Sequence, residues 1–169
     1  LLEGAEVESA KTVGLGHLKL SLRLGDRYLS AFGWEMGDLC GELGLPVTVH
    51  FQRDTFSYNF PAFESVLQQC PDTLFLGHAQ DWWANVSKHV PTDTNYPSGK
   101  VTPGGLTDQW LAKYDNLYGD LSAGSGLNAI TRDEEFSGGF LARHRAKLLW
   151  ASDCPCTDGH GAGWPKGVC

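Results

Sequence analysis

Short apolar runs alternate with longer mixed stretches along this chain. The runs are TVGLGHLKLSL (12–22), LPVTVHF (45–51), TLFLGHA (73–79), NLYGDLS (116–122) and KLLWASD (147–153). Each has the length of a strand buried in a sheet. Between them, residues 26–43, 60–70, 106–114 and 133–143 carry apolar spacings compatible with amphipathic helices. Strand and helix in steady alternation predict an α/β fold on a parallel sheet.

Local punctuation agrees with that rhythm. Pro46 can open a strand but would break a helix, and Pro71 with Asp72 marks the end of the helix before it. Gly44 stands where a helix C-cap is expected, just ahead of the second run. One segment departs from the pattern. Residues 80–105 carry Trp82, Trp83, Pro91, Tyr96, Pro97, Pro103 and three glycines, Gly99, Gly104 and Gly105. A loop of this length in a compact α/β domain is usually functional, so it is expected to form a lid or a pocket wall.

The polar residues fall in a pattern of their own. His50, His78, Asp120 and Asp153 each stand at or near the C-terminal end of successive apolar runs. In parallel α/β proteins, that edge of the sheet is where ligands bind and catalytic side chains gather. A lone His at a strand end is ordinarily a hydrogen-bonded structural residue. Two such His with an Asp on one edge form the donor set that a zinc-like ion takes in an open catalytic site. Asp120 is placed outside that set, because GDLS equally fits a cap on the turn that follows. His89 and His144 lie in polar surroundings and are expected on the surface.

Composition narrows the function classes. With 169 residues, 41% hydrophobic and 20% charged, the chain has the profile of a soluble globular domain rather than a disordered one. A net charge of −7, with 13 scattered Lys and Arg, excludes a nucleic-acid surface and leaves small molecules as the expected substrates. No apolar run approaches the ~20 residues of a membrane span, and LLEGAEVESAKT lacks the basic and apolar regions of a signal peptide. Five cysteines without a C-x-x-C pair fit a reducing compartment, so a cytoplasmic location is expected.

Taken together, ELGLPVTVHF around His50, LFLGHA around His78, NLYGDLSAGSGLNAITRD around Asp120 and LLWASDCP around Asp153 resemble the amidohydrolase-related branch of the metal-dependent hydrolase superfamily. The resemblance implies a (β/α)8 TIM-barrel type fold. It also implies a divalent metal ion, zinc for choice, with His50, His78 and Asp153 as its ligands. His78 and Asp153 take the catalytic roles, Asp153 as the base that removes a proton from water. The expected reaction is hydrolysis of a C–N or C–O bond in a small molecule. Non-oxidative decarboxylation of an aromatic acid on the same barrel is the enzymatic alternative, and a non-catalytic truncated remnant the other.

The sequence departs from the family in three places. The His-x-His pair of the family's first strand is absent, and the length falls short of the ~250 residues of a full barrel. The chain is therefore expected to be one partial barrel domain over residues 1–169, holding about the last five strands and their helices. The missing half, or a second copy, would then cover its open edges. His17 stands where many relatives carry an acidic residue, and either His17 or Lys19 could face the site. Ala151 replaces the usual glycine before Ser152 and Asp153. A competing zinc knuckle from Cys154, Cys156, His160 and Cys169 matches the usual pairing of Cys-x2-4-Cys motifs poorly.

Overall fold

The computed structural model describes residues 18–20, 37–54 and 59–151, the first three by backbone alone. Five strands, β1 (Leu18–Leu20), β2 (Val47–His50), β3 (Phe75–His78), β4 (Leu117–Asp120) and β5 (Leu148–Leu149), are hydrogen-bonded in chain order. The registered pairs are parallel: Leu18 faces Val47 between β1 and β2, and Gly119 faces Leu148 between β4 and β5. The helices are α1 (37–43), α2 (Phe60–Gln69), α3 (Gln80–Ala84), α4 (Leu106–Lys113), α5 (Ala123–Thr131) and α6 (Glu134–His144). The alternation of strands and helices predicted from the apolar runs is therefore present. Among the described residues no helix is long and apolar enough to cross a membrane.

The chain divides into two compact units. The first comprises Leu1–Gly77 with Lys113–Tyr118, and the second His78–Ala112 with Gly119–Cys169.

In the first unit α1 ends as expected at Gly44, whose φ of +65° is a left-handed value that a side chain would disfavour. The Leu45 N–H then donates to the Cys40 carbonyl at 2.8 Å and turns the chain into β2. Helix α2 starts under Asn59, whose Oδ1 accepts from Ala62 N at 3.1 Å, with Pro61 in the first turn where no N–H is needed. Its buried face is Phe63, Val66 and Leu67, the i, i+3, i+4 stripe of an amphipathic helix. Phe51 stacks on Phe60 at 4.8 Å and meets the edge of Phe63 at 5.1 Å, and Phe63 meets Phe75 at 5.6 Å. Asn116 closes the other end of α2: its Nδ2 donates to the carbonyls of Leu67 (3.1 Å) and Cys70 (3.0 Å), groups that a helix end leaves without partners.

The second unit is built around Trp82, Trp83, Leu111 and Phe140, all buried. Trp83 meets Trp82 and Phe140 edge to face, each at 6.3 Å. These tryptophans begin the segment read as a lid. They are interior because α3 forms at its start and turns both rings inward. The rest of the segment is tied down as well. Thr107 Oγ1 donates to the Trp82 carbonyl at 2.6 Å, and Val101 N donates to Asp133 Oδ2 at 2.8 Å. Asp133 also caps α6, accepting from Phe136 N, so one carboxylate joins the loop to a helix start. The Val101 N–H is the main reason that the Asp133 carboxyl is held below its ordinary value, with burial opposing it.

Two expectations fail here. His144 is not on the surface: it is 4% exposed, its Nε2 lies 2.6 Å from Asp108 Oδ1, and its ring packs on Phe140 at 4.9 Å. The polar neighbours of His144 hide the fact that it follows Phe140 by one helical turn and so shares its inward face. The final apolar run is not a buried strand over its described part. Leu149 is 43% and Trp150 80% exposed, because β5 is the last strand in the described order and has only β4 beside it.

Candidate functional site

The residues singled out in the sequence are distributed as follows. His50 closes β2 in the first unit, partly buried, with Nε2 3.0 Å from Gln52 Oε1. His78 closes β3 and opens the second unit. Asp120 closes β4 in that same unit. Asp153, His17, Cys154, Cys156, His160 and Cys169 lie outside the described residues, as does the Lys19 side chain. Among the described residues no three His, Cys, Asp or Glu side chains are gathered to hold a metal ion.

The structure does bring His78 together with Asp120. His78 is 3% exposed, and its Nδ1 lies 3.0 Å from Asp120 Oδ2. Ser122, two residues past the strand, completes the cluster. Its Oγ donates to Asp120 Oδ2 at 2.8 Å and lies 3.1 Å from His78 Nδ1, while its backbone N–H donates to Asp120 Oδ1 at 2.9 Å. Ser122 occupies the N-cap position of α5, yet its hydroxyl makes no cap bond, because it is turned to the carboxylate and the imidazole. Asp120 thus does what GDLS suggested, closing a tight turn, and at the same time grips His78.

The cluster is braced from outside. Trp83 Nε1 donates to the Asp120 backbone carbonyl at 2.8 Å, so the buried indole fixes the end of β4. Burial alone would raise the Asp120 carboxyl, but the hydrogen bonds from His78 and Ser122 outweigh it and hold the group below the ordinary carboxylate value. Two non-glycine residues with positive φ flank the cluster, Ala79 at +79° and Ala123 at +58°. Ala79 has ψ −171°, a combination that glycine normally occupies and that costs another residue of order 1–3 kcal/mol. Strain of this kind persists where surrounding contacts over-determine the backbone. Here the Ala79 carbonyl accepts from Trp83 N at 3.1 Å and starts α3 directly after His78.

Sequence reasoning missed Ser122 and Trp83. The signal for Ser122 was present: Asp and Ser two residues apart at a strand end form a turn whose side chains can bond to backbone and to each other. Nothing local marks Trp83 as the partner of a carbonyl 37 residues away.

A buried imidazole paired through Nδ1 to an ionised carboxylate is an arrangement found both in metal-ligating and in proton-transferring histidines. No curated protein and no solved structure matches the chain. The amidohydrolase family model matches residues 3–166, nearly the whole sequence. The chain therefore belongs to the amidohydrolase family, an amidohydrolase-related family of the metal-dependent hydrolase superfamily.

Proposed function

We propose that this chain forms part of a (β/α)8-type barrel that hydrolyses a C–N or C–O bond in a small molecule with the help of a bound divalent ion. The observation that carries the reading is the grip of Asp120 on His78 Nδ1 at the end of a parallel strand. A ligating histidine commonly gives its other N–H to a carboxylate, which orients the ring and raises its basicity. The donor chemistry of the strand ends, imidazole and carboxylate, fits zinc.

His50, His78 and Asp153 are the residues we assign to hold the ion, from the resemblance of the strand ends that carry them. When bound, such an ion supplies Lewis acidity and lowers the pKa of water from about 15.7 toward about 7. His50 closes β2, with its Nε2 3.0 Å from Gln52 Oε1. Asp153, which the sequence sets just past β5, would take up the proton of the attacking water at its carboxylate. His78 is held at Nδ1 by Asp120.

The test is turnover of a panel of lactones, amides and aromatic acids by the chain, with and without a chelator. Ester or amide cleavage that chelation abolishes supports the reading. Release of carbon dioxide from an aromatic acid, with no hydrolysis, would replace it by decarboxylation. Hydrolysis unaffected by chelation would overturn it.

A further inference from the structure

Residues 88–102 form a surface loop whose ends meet. The Lys88 N–H donates to the Thr102 carbonyl at 2.9 Å, and the Thr102 N–H donates to Ser87 Oγ at 3.1 Å. With Val101 also tied to Asp133, the neck of the loop is fixed. Most of its tip is exposed, yet one residue there is held firmly. Tyr96 N donates to Thr94 Oγ1 at 3.1 Å, and the buried Pro97 that follows confines Tyr96 to extended backbone.

The Tyr96 side chain is delivered to the strand ends. Gln80 Nε2 donates to the Tyr96 hydroxyl oxygen at 3.3 Å, and a Cβ on Gly124 would stand 3.7 Å from the ring. Gln80 follows His78 by two residues, and Gly124 follows Ser122 by two. One tyrosine therefore touches both segments that leave the edge, the one after β3 and the one after β4. The contact with Gln80 engages the hydroxyl oxygen, and the hydroxyl hydrogen has no acceptor among the described residues. Tyr96 is 48% exposed. An accessible ring beside an uncommitted O–H suits a ligand that pairs a flat face with an oxygen acceptor.

We infer that Tyr96 is a specificity-determining residue of the strand-end site: its ring lies against a planar group of the substrate, and its O–H donates to a substrate carbonyl oxygen. Gln80 holds the hydroxyl in place for that contact. The loop is then a fixed wall of the site, and the substrates it favours are ring-bearing carbonyl compounds. The inference rests on the proposed function, which makes this edge the reacting one.

The experiment is titration of the full chain with benzamide and with cyclohexanecarboxamide, which carries the same carbonyl on a ring that is not flat, followed by amide NMR. Benzamide is expected to bind about threefold to tenfold more tightly, the worth of an aromatic contact, and to shift the Gly124 and Ser122 signals. No binding of benzamide, or shifts confined to other parts of the chain, overturns the inference. Tyr96→Phe keeps the ring and is expected to weaken both amides by about threefold to tenfold, the worth of one hydrogen bond. Tyr96→Leu is expected to abolish the preference for benzamide as well. The Trp83 indole signal reports the local fold in both variants, since its acceptor is the Asp120 backbone carbonyl. With that signal intact, wild-type affinity in Tyr96→Phe overturns the role of the hydroxyl, and a retained preference in Tyr96→Leu overturns the role of the ring. Binding that depends on Tyr96, without turnover of any ester or amide, would sink the hydrolase reading and leave this inference standing. Turnover with binding indifferent to Tyr96 would do the reverse.

Discussion

Alanine at Gly126 should destabilise the chain, although the same exchange in an open helix would stabilise it. Gly126 lies one turn into α5, directly after the Asp120 to Ser122 turn. A Cβ at this position would lie 2.3 Å from the Leu121 carbonyl oxygen and 2.4 Å from its carbon, both backbone atoms that cannot rotate away. Leu121 stands between the two residues that grip His78, so relief of the clash has to part α5 from that turn. Helix propensity favours alanine by about 0.8–1 kcal/mol, while forcing a methyl into a filled site costs typically about 1–3 kcal/mol. A backbone overlap this close belongs at the upper end, which leaves a net loss of about 2 kcal/mol. Gly138, in α6 with nothing within 4 Å of its added Cβ, is the control. There the full gain of about 0.8–1 kcal/mol is expected. Urea unfolding followed by circular dichroism should separate the two variants by about 3 kcal/mol, or about 1–3 M in midpoint at typical slopes. A Gly126→Ala midpoint at or above that of the wild type would refute the reasoning.

Other outcomes follow from the same contacts. Hydrogen bonds from Lys113 and Tyr114 hold the Glu64 carboxyl below its ordinary value, and the Val101 N–H does the same for Asp133. A depressed folded pKa stabilises above the unfolded value of about 4 and is lost as pH falls through the folded one. Urea midpoints should therefore hold from neutrality to about pH 5 and drop below about pH 4, less steeply in Glu64→Gln and Asp133→Asn; an equal drop in both variants would count against these groups. Burial, with the hydrogen bond that the thiol gives to the Asp38 carboxylate, pushes Cys70 up to about 12. Peptide mapping after iodoacetamide at about pH 8 should find Cys70 unmodified in the folded chain and modified in urea; rapid labelling of the folded chain would contradict its burial. Asp108 accepts from Arg143 Nη2 at 2.9 Å as well as facing His144. Asp108→Ala should cost about 1–3 kcal/mol in urea unfolding by leaving a buried imidazole nitrogen without its partner, and a loss below about 0.5 kcal/mol would show that the clasp is unimportant.

The sequence made the strand ends legible because their cues are local. Gly44, Pro46 and Pro71 bracket β2 and α2 through backbone rules that hold whatever the tertiary context, and His50, His78 and Asp120 close their strands as expected. The errors arose where distant contacts decide. His144 is buried by Asp108, a partner 36 residues away, and its neighbours in the chain give no sign of that. Helix α5 opens on Ala-Gly-Ser-Gly, with two glycines of weak propensity and no side-chain cap, so periodicity passed over it. It forms where small residues let it sit close to Leu121. Trp150 reads as core because it is apolar, but apolar pattern reports burial only where a neighbouring layer exists, and β5 ends the described order of strands. The grip of Asp120 on His78 needed two strand ends brought side by side, and sequence spacing does not supply that pairing.

Metal content tests the central claim most directly. The chain, purified with zinc supplied and then dialysed, should retain bound zinc, and His50→Ala, His78→Ala and Asp153→Ala should each lose it while remaining folded by circular dichroism. Zinc retained at the wild-type level in all three variants would contradict the assignment of these residues as its ligands.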